Sequence, residues 1–409
     1  MNRVTIPLPP LAKVESALRE VTETLAREVT DPTDEPPLWG EFEWRVARAV
    51  ATMQGISSLL YAGLRWKSPV GWRLFLEEQR NHIEGRHRKI ARLLHRIDAQ
   101  AAREGIALVA LKGAALHAIG LYATGERPMA DVDLLAHEAD VKTATRLLED
   151  CGFEGTFTSW RDRLFEPRVR TTSASFGEHI DNPIKIELHT SIRERLPVSE
   201  TDITQFVFPR ETHVGLNSYP SAASLMMHLL LHAAGNMRAH GLRLIQLHDI
   251  ARLAQQFVPS DWEKILAARP NDQALWWAVP PLMLAARYYP SAIPSFVIAR
   301  LDEECPWLLD KFARRQRLAD VSWSNIRAKA LPGIEWSRTP HEAFSFTISR
   351  IWPSCETRLE LKRFASFHTG GSEIPWYGIS QLGRILRWVF SNPPRVQTLL
   401  AIRAALAQE

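Results

Sequence analysis

The sequence predicts an α/β fold: a small mixed β-sheet with flanking helices, set between extensive N- and C-terminal helical regions. Three observations carry this. Residues 106–111 form a short apolar run ending in a Lys112-Gly113 turn, as a buried strand would. Residues 184–189 alternate, with Ile184, Ile186 and Leu188 on one strand face and Lys185, Glu187 and His189 on the other. Before and after these segments, apolar residues recur at three- and four-residue steps, the period of buried helix faces.

Taken in order, residues 11–29 predict a helix, followed by the Pro-rich acidic stretch DPTDEPPLWG. Phe42, Val46, Ala49, Val50, Met53 and Ile56 predict a second helix, and residues 59–66 a third, with Pro69 and Gly71 as an interruption. Residues 72–104 read as one long helix or two, with Ile83, Ile90, Leu94, Ile97 and Ala101 as the apolar stripe. Arg86, Arg88, Lys89, Arg92 and Arg96 lie off that stripe, either as a solvated face or as a basic face beside an anionic ligand. A short helix is expected over 114–121, a strand at 131–135, a helix over 138–151 stopped by Gly152, and strands near 153–157 and 170–180. Residues 221–257 are strongly helical. Residues 261–330 alternate helical and Pro-containing stretches, with Trp276, Trp277, Trp307 and Trp323 as core or interface aromatics. Residues 331–378 read as irregular, and 378–390 and 396–407 as closing amphipathic helices. The division expected is 1–104, 105–197, 198–330 and 331–409.

Composition narrows the class. The chain has 409 residues, 45% hydrophobic and 23% charged, enough for two or three domains with sizeable cores. No apolar run reaches the ~18–20 residues that span a bilayer, and the first residues lack a signal-peptide core. Cys151, Cys305 and Cys355 are odd in number and far apart, which fits neither a disulfide framework nor a zinc site and points to the cytoplasm. A net charge of +4 accommodates anionic substrates without implying nucleic acid, which is not an expected partner. Arginine outnumbers lysine 40 to 10, so Lys112 is one of few lysines.

The chemistry concentrates in residues 106–135. On a strand, Asp131 and Asp133 point the same way and Val132 points oppositely. Paired carboxylates in an apolar strand repel each other, and a divalent cation relieves the repulsion; oxygen ligands suit Mg²⁺ or Mn²⁺. The ordered set Lys112-Gly113 with Leu116, Arg127-Pro128-Met129 and Asp131-Val132-Asp133-Leu134-Leu135 resembles an uncharacterised bacterial nucleotidyltransferase family of the DNA polymerase β-like superfamily. The resemblance covers roughly residues 108–253, with the HxxxH and LHDIARL segments after the Asp-x-Asp strand; helices like those before residue 105 also occur in that family.

This resemblance implies a two-metal site on a small mixed sheet, with Asp131, Asp133 and Glu187 as catalytic metal ligands. Glu187 is the third carboxylate because it stands just before Leu188-His189; Glu178 and Asp181 are weaker alternatives. It further implies an NTP co-substrate, release of pyrophosphate, and an unidentified small-molecule, peptide or sugar acceptor. Lys112 and Gly113 would form the phosphate turn, Gly allowing close backbone approach. Arg127 would neutralise phosphate charge, or else pair with Asp131 or Glu126. His189 would bond a metal ligand or the acceptor, or serve structurally. The chain departs from the superfamily's Gly-Ser turn: Lys112-Gly113-Ala114 carries no hydroxyl.

Other features read as structural. His228 and His232 lie on one helix face without the Glu of a zinc-protease motif, and read as packing or hydrogen-bonding groups, or as facing the nucleotide pocket near Asp249. Cys151 at a helix end is not a nucleophile candidate. Two other functions stay open: a nucleotide-binding scaffold without turnover, and an interfacial helical protein. The latter rests on Trp376, Tyr377, Arg384, Arg387, Trp388 and Phe390, of which Trp388 and Phe390 also read as core.

Overall fold

The computed structural model describes residues 7–169, 177–354, 358 and 380–407. Four helices open the chain: α1 (Leu11–Thr30), α2 (Glu41–Gln54), α3 (Ser57–Gly63) and α4 (Val70–Glu104). In α1, Val14, Leu18, Val21 and Leu25 repeat at helical steps and are fully buried. Residues 72–104 lie in one uninterrupted helix, with Pro69 immediately before its first turn. Of its apolar stripe, Ile83, Ile90, Ile97 and Ala101 are buried and Leu94 is half-buried.

The sheet begins at β1 (Ala107–Ala110), followed by α5 (Lys112–Ala118), β2 (Asp131–Ala136), α6 (Val141–Asp150), β3 (Phe153–Thr158), β4 (Asp162–Pro167) and β5 (Lys185–His189). A two-stranded hairpin, β6 (Arg193–Arg195) with β7 (Glu200–Asp202), precedes α7 (Thr204–Val207) and β8 (Gly215–Asn217). The strand order is β3-β4-β5-β2-β1-β8. The pairs β2·β5 and β1·β8 are parallel; β1·β2, β4·β5 and β3·β4 are antiparallel. The fold is therefore the expected mixed-sheet α/β type, with β2 and β5 central.

Alternation along the central strands separates two apolar cores. Val132, Leu134, Ile186 and Leu188 pack with Ile90, Ile97, Leu147 and Leu148 of α4 and α6. Val109 and Leu135 face the other way, into the larger helical core. That core is built on α8 (Ala222–Arg238), α9 (Leu244–Ala254), α10 (Pro259–Ala267) and α11 (Val279–Tyr288), together with α1, α2 and α3. The chain ends through α12 (Ser295–Asp302), α13 (Trp307–Ala313), α14 (Leu318–Val321), α15 (Pro340–Ile351), α16 (Gln381–Phe390) and α17 (Val396–Leu406). No helix among the described residues is long and apolar enough to cross a membrane.

Several expectations change in the folded chain. The helical stretch 221–257 is two helices, because His240 adopts a left-handed φ of +52° between α8 and α9. The strands β4 and β8 were not signalled by their sequences: Asp162–Pro167 is mostly half-buried and alternates weakly, and β8 is three residues long. Residues 177–180 form no strand, and 170–176 of that expected strand lie outside the described residues, as do Cys355, Trp376 and Tyr377. Trp276 and Trp277 are core, but Trp307 and Trp323 are exposed. Residues 340–351, expected to be irregular, form α15, whose start Thr339 caps by accepting the Glu342 N–H. Phe390 is exposed rather than core, since α16 buries no residue fully.

Candidate metal and nucleotide site

Strand pairing assembles the site. In the parallel pair β2·β5, Asp133 lies opposite Glu187, Asp131 opposite Lys185 and Leu135 opposite His189. In-register side chains of neighbouring strands share a face, so Asp133 and Glu187 meet on the side turned away from α4 and α6. His189, two residues after Glu187, joins them. One ligand atom from each of Asp133, Glu187 and His189 lies within 4.8 Å of the others. Asp133 and His189 are buried, Glu187 half-buried and Asp131 exposed at the strand's start.

Two hydrogen-bond donors already act on Asp133. The Lys112 ammonium donates to its Oδ1 at 2.6 Å, and His189 Nε2 donates to the same oxygen at 3.1 Å. His189 Nε2 also stands 3.6 Å from Glu187 Oε2. Burial alone would raise the Asp133 carboxyl; the ammonium and the imidazole outweigh it and hold the carboxyl well below its usual range. Burial likewise opposes charge on Lys112 and His189, and the facing carboxylates raise both above their ordinary values. Asp131 opens to solvent on one side. The protein packed around it, with the carboxylates of Asp133 and Glu187, still pushes its carboxyl up to about 6.

The donor set fits a divalent cation. Asp133 and Glu187 offer oxygens and His189 a nitrogen, within reach of one point, with Asp131 on the same face of its strand; the imidazole nitrogen can bind an ion only by giving up the proton it donates to Asp133. Mixed carboxylate and imidazole ligation suits Mn²⁺, and the carboxylates suit Mg²⁺. The ammonium on Asp133 Oδ1 shows that this position already favours a cation.

Lys112 begins α5 directly, with a left-handed φ of +44°. Its backbone N–H donates to the Tyr219 hydroxyl at 3.3 Å, and that hydroxyl is hydrogen-bonded to His228 Nδ1 at 2.7 Å, tying the turn to α8. The space above Gly113 is filled from within the protein. A Cβ there would stand 2.5 Å from Arg127 Nη1 and 3.0 Å from Met129 Sδ. The glycine thus admits the Arg127 guanidinium against the turn.

Arg127 itself is engaged. Its Nε and Nη2 donate to the two oxygens of Asp249 on α9, at 2.8 and 2.7 Å, and its Nη1 donates to the Pro128 carbonyl. Its partner is neither Asp131 nor Glu126. The Tyr122 hydroxyl donates to Asp249 Oδ1 at 2.8 Å, completing the group. Burial opposes the Arg127 charge, and Asp249 more than restores it.

Arg86 is buried, unlike a residue of a solvated basic face. It donates to the carbonyls of Met129 and Ala130 before β2, and of His179 and Asn182 before β5, and pairs with Glu178 at 3.2 Å. One guanidinium therefore braces both loops that deliver carboxylates to the site. Glu178 is engaged there, and Asp181 pairs with Lys89 at 3.2 Å. Arg86 and Asp249 thus build the site as buried braces, roles that neither a basic helix face nor a place near the pocket announces. The available signal for Asp249 is an acid within a largely apolar helix segment, LHDIARL, a position that burial forces to find a cation.

A family profile described as an uncharacterised nucleotidyltransferase matches residues 40–288. The chain belongs to this nucleotidyltransferase family. No curated protein and no solved structure matches it. The match takes in the Asp-x-Asp strand, Glu187 and α9, so the Arg127–Asp249 pair and the carboxylate face lie inside it. In this family member a small cleft opens beside the Asp133–Glu187–His189 cluster, lined by Lys112, Arg161, Glu194, His228 and His232. Arg161 pairs with Glu194 at 2.5 Å, and burial depresses both His228 and His232 well below the ordinary histidine value. His232 Nε2 accepts from Asn236 Nδ2 at 3.1 Å. These two histidines are neutral hydrogen-bonding groups on the cleft wall. The Cys151 thiol is raised by burial, the opposite of an activated nucleophile.

Proposed function

We propose that the chain transfers a nucleoside monophosphate from an NTP to a hydroxyl or phosphate of a small-molecule, peptide or sugar acceptor. The acceptor oxygen attacks the α-phosphorus, a new P–O bond forms, the α–β bridging P–O bond breaks, and pyrophosphate leaves with that electron pair. The observation that carries this reading is the β2·β5 register, which sets Asp133 against Glu187 with Asp131 on the same strand face. Asp131, Asp133 and Glu187, with His189 beside them, would hold Mg²⁺ or Mn²⁺. Such an ion supplies neutralisation of phosphate charge and eases deprotonation of the attacking hydroxyl. Lys112 brings a positive charge to the cleft and His189 orients Asp133. Gly113 and Arg127 fix the turn and the loop into β2, so Arg127 acts by positioning rather than by phosphate contact. Most of the rate would come from orientation and charge placement. The catalytic unit in this reading is segment 105–197, completed by β8.

A second reading, nucleotide binding without turnover, draws support from the Lys112 ammonium on Asp133 and from the turn without a hydroxyl. Pyrophosphate release separates the two. Each of the four NTPs is supplied with Mg²⁺ or Mn²⁺, with and without mixed sugar, peptide and aminoglycoside acceptors. The wild type is compared with D131N/D133N. Release that disappears in the double variant supports transfer. Nucleotide binding with no release under any acceptor supports the second reading.

A further inference from the structure

A bound triphosphate brings about four negative charges, and its recognition needs cations whose hydrogen-bond donors are free. Most cations around the carboxylate face are engaged. Lys112 is on Asp133, Arg127 on Asp249, Arg86 on Glu178 and four carbonyls, and Arg161 on Glu194. Arg243, the residue before α9, differs. Among the described residues no carboxylate pairs with its guanidinium, and its Nε is buried without a hydrogen-bond partner.

Its placement is fixed from several sides. The Arg243 backbone N–H donates to Gln246 Oε1 at 2.9 Å, and the next N–H, of Leu244, donates to Gln54 Oε1 at 2.7 Å. Gly55 makes room for the guanidinium: a Cβ at Gly55 would lie 2.7 Å from Arg243 Nη2. The same helix, α9, carries Asp249, which holds Arg127 against the Lys112-Gly113 turn. The acids whose charge reaches Arg243 are Glu178, Asp131 and Asp249. Glu178 and Asp249 are held by Arg86 and Arg127, and none of the three acids forms an ion pair with Arg243. Donors withdrawn from water and left unpaired cost free energy unless a ligand satisfies them.

We propose that Arg243 is a binding residue for the β- and γ-phosphates of the donor nucleotide, its guanidinium taking phosphate oxygens. This rests on the nucleotidyltransferase reading and adds a residue outside its motifs.

Calorimetry of the full chain tests it, with inorganic tripolyphosphate, the four NTPs and the four NMPs as probes in Mg²⁺. Wild type, R243M, R243K and D133N are compared. R243M is expected to weaken NTP and tripolyphosphate about 10–100-fold, the loss of one charge-assisted contact. NMP affinity should be unchanged, and R243K should recover part of the loss. A purely structural arginine would instead weaken NMP and NTP alike and lower the melting temperature. That pattern, or tripolyphosphate binding equal to wild type in R243M, overturns the proposal. If wild-type NTP binding is insensitive to D133N, the nucleotidyltransferase reading fails; an R243M loss on tripolyphosphate would still uphold the anion subsite. Wild type binding neither NTP nor tripolyphosphate overturns both.

Discussion

The Arg127–Asp249 pair is expected to be a principal brace of the site, and a double-mutant cycle measures it. Asp249 is 2% exposed and Arg127 11%. Three hydrogen bonds converge on Asp249: two from Arg127 at 2.8 and 2.7 Å, and one from Tyr122 at 2.8 Å. Asp249→Leu leaves a guanidinium in the interior with no counter-charge. Arg127→Met leaves a carboxylate whose sole remaining donor among these is Tyr122. Breaking a buried pair from one side costs about 3–5 kcal/mol, whereas replacing both partners with apolar groups is often close to neutral. Each single variant should therefore lose about 3–5 kcal/mol in urea unfolding, and R127M/D249L much less than their sum. A coupling of about 2 kcal/mol or more is expected, within the range for close buried charge pairs. Near-additive losses, with coupling under about 0.5 kcal/mol, would mean the two residues act independently. The account of Arg127 as a positioning residue would then fall.

Three further outcomes follow from the geometry. Lys112→Met removes the ammonium that competes for Asp133 Oδ1; Mn²⁺ affinity by calorimetry should rise about tenfold or more, the equivalent of one charge-assisted hydrogen bond, and an unchanged affinity would show no competition. Gly113→Ala drives a methyl to 2.5 Å from Arg127 Nη1, so thermal unfolding should show a loss of about 1–3 kcal/mol, as for overpacked interiors; wild-type stability would mean Arg127 yields freely. His240 is buried, and burial lowers its value from 6.5 to about 4. The unfolded chain then takes up a proton between those values that the folded chain refuses, so stability falls as pH drops from about 6.5 toward 4. His240→Asn, whose side chain tolerates the left-handed backbone, should flatten that slope in urea titrations at pH 7 and pH 5; an identical slope would place the proton uptake elsewhere, for instance at His117 or His248, which burial also lowers to about 4.

How far the sequence reveals this arrangement depends on the range over which each feature is determined. The residues 131–135 and 184–189 disclose their strand character locally, because alternation fixes which side chains share a face whatever the partner. Their pairing is not local. About 50 residues separate Asp133 from Glu187, including β3 and β4, and β4 has no alternation strong enough to announce itself. The helices α1, α2 and α4 were legible from their stripes. The break between α8 and α9 was marked only by Gly241 after His240, within a stretch whose apolar residues keep helical steps on both sides.

The basic residues show why motif position is a poor guide to role. Arg127 stands upstream of the Asp-x-Asp strand, where a phosphate-binding arginine is expected from sequence. Burial changes its task, since an arginine at that depth requires an acid, and Asp249 supplies it from 122 residues away. Arg86 looks like one of several arginines on a helix face, yet the loops before β2 and β5 close over it and take its donors. Lys112, in the turn where a backbone contact to phosphate was expected, reaches Asp133 with its side chain. Each of these roles is set by a partner far away in the chain. The same logic applied in reverse points to Arg243, which belongs to no recognised motif: most neighbouring cations have acids or carbonyls, whereas its Nε, like that of Arg238 near Glu194, is buried without a partner, and Arg243 stands at the start of the helix that holds Arg127.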